Sequence, residues 1–203
     1  AVHIGSMTGS HELGHTFNLR HDGDTSQTGQ SKEYYSGHGT GVTSWGPIMG
    51  APFTANVIQW SKGEYANASN TEDDVAIISG SYFALGYTVD DYANSLTLAQ
   101  NIPQLSKGNV SVSGVIETKD DSDVFRLDCG NGTLSISLTG ALPEPNLDGK
   151  LTLLNANGVS VASSDPLGSL SASLSAPVSQ GIYYLTVRPS SVPNGSTVGY
   201  TTY

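Results

Sequence analysis

The apolar positions of this chain change their period once. Up to about residue 85 they are irregular, with two stretches that read as helix. In the first, residues 1 to about 24, Leu13 and Phe17 lie four apart on one helical face, Ser10 is a start signal, and the pattern stops abruptly. The second runs from Asn70 to Ser79, with Asn70 or Thr71 as cap and Glu72, Asp73 and Asp74 in a first turn where the helix dipole favours them. Between the two, residues 23–47 are rich in Gly, Ser, Thr and Gln and read as a surface loop. A tight turn follows in Trp45-Gly46-Pro47-Ile48-Met49-Gly50-Ala51-Pro52.

From Gly108 onward the period is two. Short alternating runs occur at Val110–Ile116, Val124–Leu127, Thr133–Leu138, Lys150–Leu154 and Ile182–Val187, and Asn131-Gly132 and Asn157-Gly158 supply turns between runs. Strands at this spacing predict an antiparallel sandwich or barrel. Residues 86–107 read as the linker. The expected fold class is therefore α+β, with helices and a turn first and an antiparallel β-sandwich after them.

Composition narrows the function. The 203 residues suit one large domain or two small ones. Eighteen acidic residues against eight basic ones give a net charge of −10, with no Lys/Arg cluster, which argues against a nucleic-acid partner. No apolar run approaches the ~20 residues that cross a bilayer, so no membrane span is expected. Cys129, the one cysteine, cannot form an internal disulfide and sits in the alternating run Phe125–Cys129 as a small buried hydrophobe.

Three of the five histidines fall within eleven residues, in His11-Glu12-Leu13-Gly14-His15-Thr16-Phe17-Asn18-Leu19-Arg20-His21-Asp22. His11 and His15, four apart, project from one face of a helix and can share a Zn²⁺ ion. Glu12 lies beside the first of them, placed to take a proton from a water. A continuing helix would carry His21 away from that face, so the chain must turn between His15 and His21. Asn18 stands where the turn needs positive φ, which Asn tolerates best after Gly. His21 then returns as a third ligand, and three protein nitrogens with one open position make a catalytic rather than a structural zinc.

The segment resembles the metzincin signature H-E-x-x-H-x-x-G-x-x-H with a methionine-containing turn downstream; Asn18 replaces its glycine, and Met49 in Pro47-Ile48-Met49-Gly50 is the matching methionine. Asp22 after the third histidine is similar to the adamalysin/reprolysin branch. The resemblance implies a structural Asp22 that ties the helix end to the methionine turn, and Met49 as an apolar floor under the histidines. Astacin-like and serralysin-like relatives carry a tyrosine two residues past that methionine; Ala51 stands there, so none is expected to contribute from that position. Gln59–Tyr65 and Glu72-Asp73-Asp74 also resemble bacterial reprolysin-like peptidases. Gly114-Val115-Ile116-Glu117, Asp121-Ser122-Asp123-Val124-Phe125 and Gly181–Val187 resemble bacterial pre-peptidase C-terminal domains, β-sandwiches appended to secreted peptidases.

The resemblance thus implies the C-terminal part of a metzincin catalytic domain at 1–85 (zinc helix, methionine turn, second helix), a linker at 86–107, and the β-sandwich at 108–203. It further implies secretion and protein or peptide substrates, with Glu12 catalytic and His11, His15 and His21 on zinc. Such a catalytic domain has a sheet upstream of the zinc helix, and ten residues precede His11, so a piece of a longer precursor is expected. The alternative expectation is a non-catalytic binding or adhesion fragment with a vestigial or incomplete zinc site. Asp120, Asp121 and Asp123 form either a Ca²⁺-binding cluster or a solvated turn before a strand. His3 and His38 lack ligand spacing and read as ordinary polar residues, and the Tyr34-Tyr35 pair reads as packing.

Overall fold

The structure, a computed structural model, describes residues 2–102 and 109–190, with side chains described from residue 5 onward. The side chain of His3 and the chain end at 191–203 lie outside the described residues. The described chain is α+β and mostly β, and it separates into two compact units, the first ending at Thr88 and the second beginning at Val89. No helix among the described residues is long and apolar enough to cross a membrane.

In the first unit, α1 spans Val2–Thr16, α2 is a single turn at Gln30–Glu33, and α3 spans Asp74–Ser79. Strands β1 (Trp45–Pro47) and β2 (Val57–Gln59) pair in parallel. Helix α1 begins well before Ser10, which is therefore mid-helix, and it ends at Thr16 rather than near residue 24. Leu13 is exposed; the inward side of the helix carries Met7 and His11 instead. The face is chosen by what lies beneath it and not by the Leu13/Phe17 pair. Helix α3 is shorter than expected because Asp73, and neither Asn70 nor Thr71, is its cap, with Asp73 Oδ1 accepting from the Ala76 amide at 3.0 Å. Asn70 and Glu72 are engaged elsewhere. Leu19, Ile48 and Met49 form the small core below α1, with Phe17, Trp60, Ile77 and Ile78 against it.

The second unit contains seven strands among its described residues: β3 (Gln100–Ile102), β4 (Asp123–Cys129), β5 (Gly132–Leu138), β6 (Gly149–Asn155), β7 (Ser160–Ser164), β8 (Ala172–Val178) and β9 (Gly181–Pro189). They form one sheet in the order β3-β4-β9-β6-β7 and a second of β5-β8, antiparallel throughout except β3 with β4. Alternation decides which side is buried. Phe125, Leu127 and Cys129 of β4, Leu151 and Leu153 of β6 and Val187 of β9 point from the larger sheet into one core with Ala172, Leu174 and Ala176 of β8, and Leu134, Ile136 and Leu138 of β5 border it. The intervening serines face outward, where Ser135 and Ser175 pair across the strands at 3.2 Å.

Two expectations fail here. Residues 89–102 are not merely a linker, because β3 joins the larger sheet and Ile102 is buried opposite Leu127. Val110–Ile116 is not a strand: its backbone is held by side chains, with Asp91 Oδ2 accepting from the Val115 amide and Ser113 O accepting from the Tyr92 hydroxyl.

Candidate metal centre

The end of α1 sets up the site. The Leu19 amide donates to Gly14 O at 3.1 Å and the Asn18 amide to His15 O at 3.0 Å, while Asn18 takes φ 64°. This bond pair is a Schellman cap with Asn18 in the left-handed position. The cap turns the chain back toward α1 and places the Leu19 carbonyl 3.0 Å from His15 Nδ1. The returning strand of chain is then clamped by the second helical region. The Arg20 amide donates to Glu72 Oε1 at 2.7 Å, and Asn70 Nδ2 donates to Arg20 O and to Glu72 Oε1.

Each of the three histidines is fixed through Nδ1. His11 Nδ1 lies 2.8 Å from Ile48 O, His15 Nδ1 3.0 Å from Leu19 O, and His21 Nδ1 3.3 Å from Glu33 Oε1. A carbonyl or ionised carboxylate oxygen only accepts, so in every case Nδ1 carries the proton and a neutral ring keeps its lone pair on Nε2. One ring nitrogen from each of the three lies within 4.8 Å of the others, with His15 Nε2 and His21 Nε2 3.0 Å apart. Two lone pairs at that distance repel unless a cation sits between them. Nitrogens on a tetrahedral ion at about 2.0–2.1 Å would stand about 3.3 Å apart, close to the 3.0 Å between His15 Nε2 and His21 Nε2. The triad therefore fits a metal ion, with its ring orientations already set by backbone and carboxylate acceptors.

The methionine turn supports two of these positions at once. Ile48 O accepts from His11, and the next carbonyl, Met49 O, accepts from the Asp22 amide at 2.9 Å. The tie from the third histidine to this turn thus runs through the main chain of Asp22. Its carboxyl points into the protein, fully buried, and Oδ2 has no hydrogen-bond partner. Burial, then the charges of Asp74, Glu64 and Glu72, push it up to about 8 against a bond from Asn70. Asp74, also buried, is raised to about 7, chiefly by loss of water. Met49 is fully buried, and its sulfur lies against Gly14 of α1. Glu12 follows His11 on the helix and is exposed.

Two residues at the site were not singled out from sequence. Glu33 holds His21, and the ring of Tyr34 lies 4.3 Å from that of His21 and 6.4 Å from that of His11, centroid to centroid. Tyr34-Tyr35 was visible as a pair but not divisible: Tyr35 turns away, stacking on Tyr65 at 4.1 Å with its hydroxyl 3.0 Å from His38 Nδ1. His38 belongs to this packed aromatic group and not to the triad. Beside His21, an open hollow of about 470 Å³ is lined by Gly29, Lys32, Glu33 and Ser69.

In the second unit, Asp121 and Asp123 come together with Asp90, whereas Asp120 is exposed and pairs with Lys119 at 2.7 Å. The chain matches no protein-family model, no curated protein and no solved structure.

Proposed function

We propose that the first unit is the zinc-holding part of a metzincin-type metalloendopeptidase that acts outside the cell on protein or peptide substrates, with the β-rich unit as a non-catalytic appendage. The observation that supports this reading most is the convergence of three Nε2 lone pairs, each enforced by an acceptor on Nδ1, beside an exposed glutamate. Zinc held by His11, His15 and His21 would supply Lewis-acid polarisation of a peptide carbonyl and a lowered pKa for water. The acceptors on Nδ1 keep the imidazoles in the tautomer that presents Nε2, so no ring need reorient on binding. Glu12 is the general base: its carboxylate takes the proton of the attacking water and returns it to the leaving amine. The hollow beside His21 gives a peptide side chain room next to the site, with Lys32 at its wall.

Elemental analysis of the purified chain, paired with a casein-type cleavage assay, tests the reading. We expect one zinc per chain, lost with cleavage in His15→Ala, while Glu12→Gln keeps the zinc and loses cleavage by about 10²–10⁴-fold. Full activity in Glu12→Gln with zinc bound would remove Glu12 from its role. Zinc with no cleavage in the wild type would instead favour a binding or adhesion module with a vestigial site.

A further inference from the structure

The hollow beside His21 presents a charge and a donor that the metal centre does not use. Its walls are His21, Gly29, Lys32, Glu33 and Ser69, around about 470 Å³. His21 belongs to both places: its ring lines the hollow, and its Nε2 lies 3.0 Å from that of His15 in the triad. A peptide carbonyl brought to the triad therefore leaves a neighbouring side chain beside this space. Packing fixes the walls. Gly23, two residues past His21, lets α2 approach, because a Cβ there would run into the Lys32 carbonyl. Ser69 is tied to the same glycine twice, its amide donating to Gly23 O at 3.0 Å and its Oγ accepting from the Gly23 amide at 2.9 Å.

The uncommitted groups of these walls are of one kind. Glu33 Oε1 is engaged by His21 Nδ1 at 3.3 Å. Among the described residues, no carboxylate comes within ion-pair distance of the Lys32 ammonium group. The Ser69 hydroxyl accepts from Gly23, and its own proton has no acceptor among them. A cation and a hydroxyl donor are thus left facing the hollow. The first unit has three basic side chains, Arg20, Lys32 and Lys62, against eight acidic ones, and Arg20 lies 4.0 Å from Glu72. A cation without a partner beside the triad runs against that balance.

We propose that the hollow is a subsite for an acidic side chain, an Asp or Glu of the peptide substrate, with Lys32 as its specificity-determining residue and the Ser69 hydroxyl as a second donor. The assignment rests on the peptidase reading above and adds to it a class of substrate. Because the hollow is open to water, the Lys32 contact is screened, and it sets a preference rather than a requirement. The contact lies away from the reacting carbonyl and is made alike before and during reaction. Its effect therefore shows in KM rather than in kcat.

The test uses short fluorescent peptides identical except for Glu, Gln or Lys at one position, moved residue by residue along the peptide. Cleavage is followed with the full chain, and binding of the same peptides to Glu12→Gln is followed by anisotropy. At one position near the cleaved bond we expect Glu to be favoured over Gln by about two- to fivefold, in KM and in the anisotropy Kd. The preference should shrink as ionic strength rises from about 0.01 M to about 1 M, where the screening length falls from about 30 Å to about 3 Å. Lys32→Ala should bring the Glu peptide to the KM of the Gln peptide, and Lys32→Glu should turn the preference toward Lys. Lys32 is exposed, so neither variant threatens the fold. Equal values for Glu and Gln at every position, or a preference that survives in both Lys32 variants, overturns the proposal. If the wild type cuts no peptide, the peptidase reading fails by itself, and anisotropy still decides whether Lys32 selects acidic peptides.

Discussion

Gly14 of α1 faces the sulfur of Met49 so closely that no side chain fits between them. The methionine turn is therefore in contact with the helix that carries His11 and His15, at the one helical position between them with no Cβ. Met49 is fully buried, and a Cβ at Gly14 would crowd the Trp60 ring as well as the sulfur. Gly14→Val should cost about 1–3 kcal/mol by overpacking and should tilt the helix off the turn. Urea unfolding and zinc affinity measured together check this: a variant as stable as wild type, with equal affinity, would show the contact to be slack.

Asn18 carries the left-handed residue of the Schellman cap. Asn18→Gly should leave stability within about 1 kcal/mol of wild type, since Gly adopts positive φ freely. Asn18→Val should lose about 1–2 kcal/mol and bind zinc more weakly, because the cap positions the Leu19 carbonyl on His15 and starts the return to His21. If both variants bind zinc as the wild type does, the turn does not position the ligands.

Glu33 accepts from the proton-bearing Nδ1 of His21. Its carboxylate is exposed, so the effect on zinc should sit at the lower end of the ~10–100-fold range for such partners. We expect Glu33→Ala to weaken zinc about tenfold and Glu33→Gln less, since the amide oxygen still accepts. Competition with a chelating dye measures the affinity, and equal values for all three proteins would contradict the role.

Asp74 ionises near 3.8 in an unfolded chain but near 7 in the fold, chiefly because burial disfavours its charge. The folded form therefore holds a proton that the unfolded chain releases. Its stabilising contribution is fully present below about pH 4 and is lost as pH rises through about 7. The unfolding midpoint of the wild type should consequently fall more steeply between about pH 4 and 7 than that of Asp74→Asn. Parallel midpoint curves for the two proteins would show that Asp74 is not the titrating group.

Some of this protein is written in local sequence. Thr133–Leu138 and Lys150–Leu153 alternate strictly, and both lie in strands with their leucines inward, because period two admits only one choice of buried face. His11, His15, Asn18 and His21 were readable for a related reason: spacing along a helix and one left-handed residue set their directions within a few residues of chain. Tertiary structure decided the rest. Val110–Ile116 has the period of a strand, but its amides and carbonyls find side chains of residues 90–94 first. Leu13 lies outward although apolar, because the inward face of α1 is set by the methionine turn, which is 30-odd residues away and invisible to any local pattern. Glu33, Tyr34 and the partnership of Asp90 with Asp123 arise in the same way, from chain segments that meet only after folding. A single sequence carries no term for such contacts, since they depend on which distant groups remain to satisfy hydrogen bonds and charge.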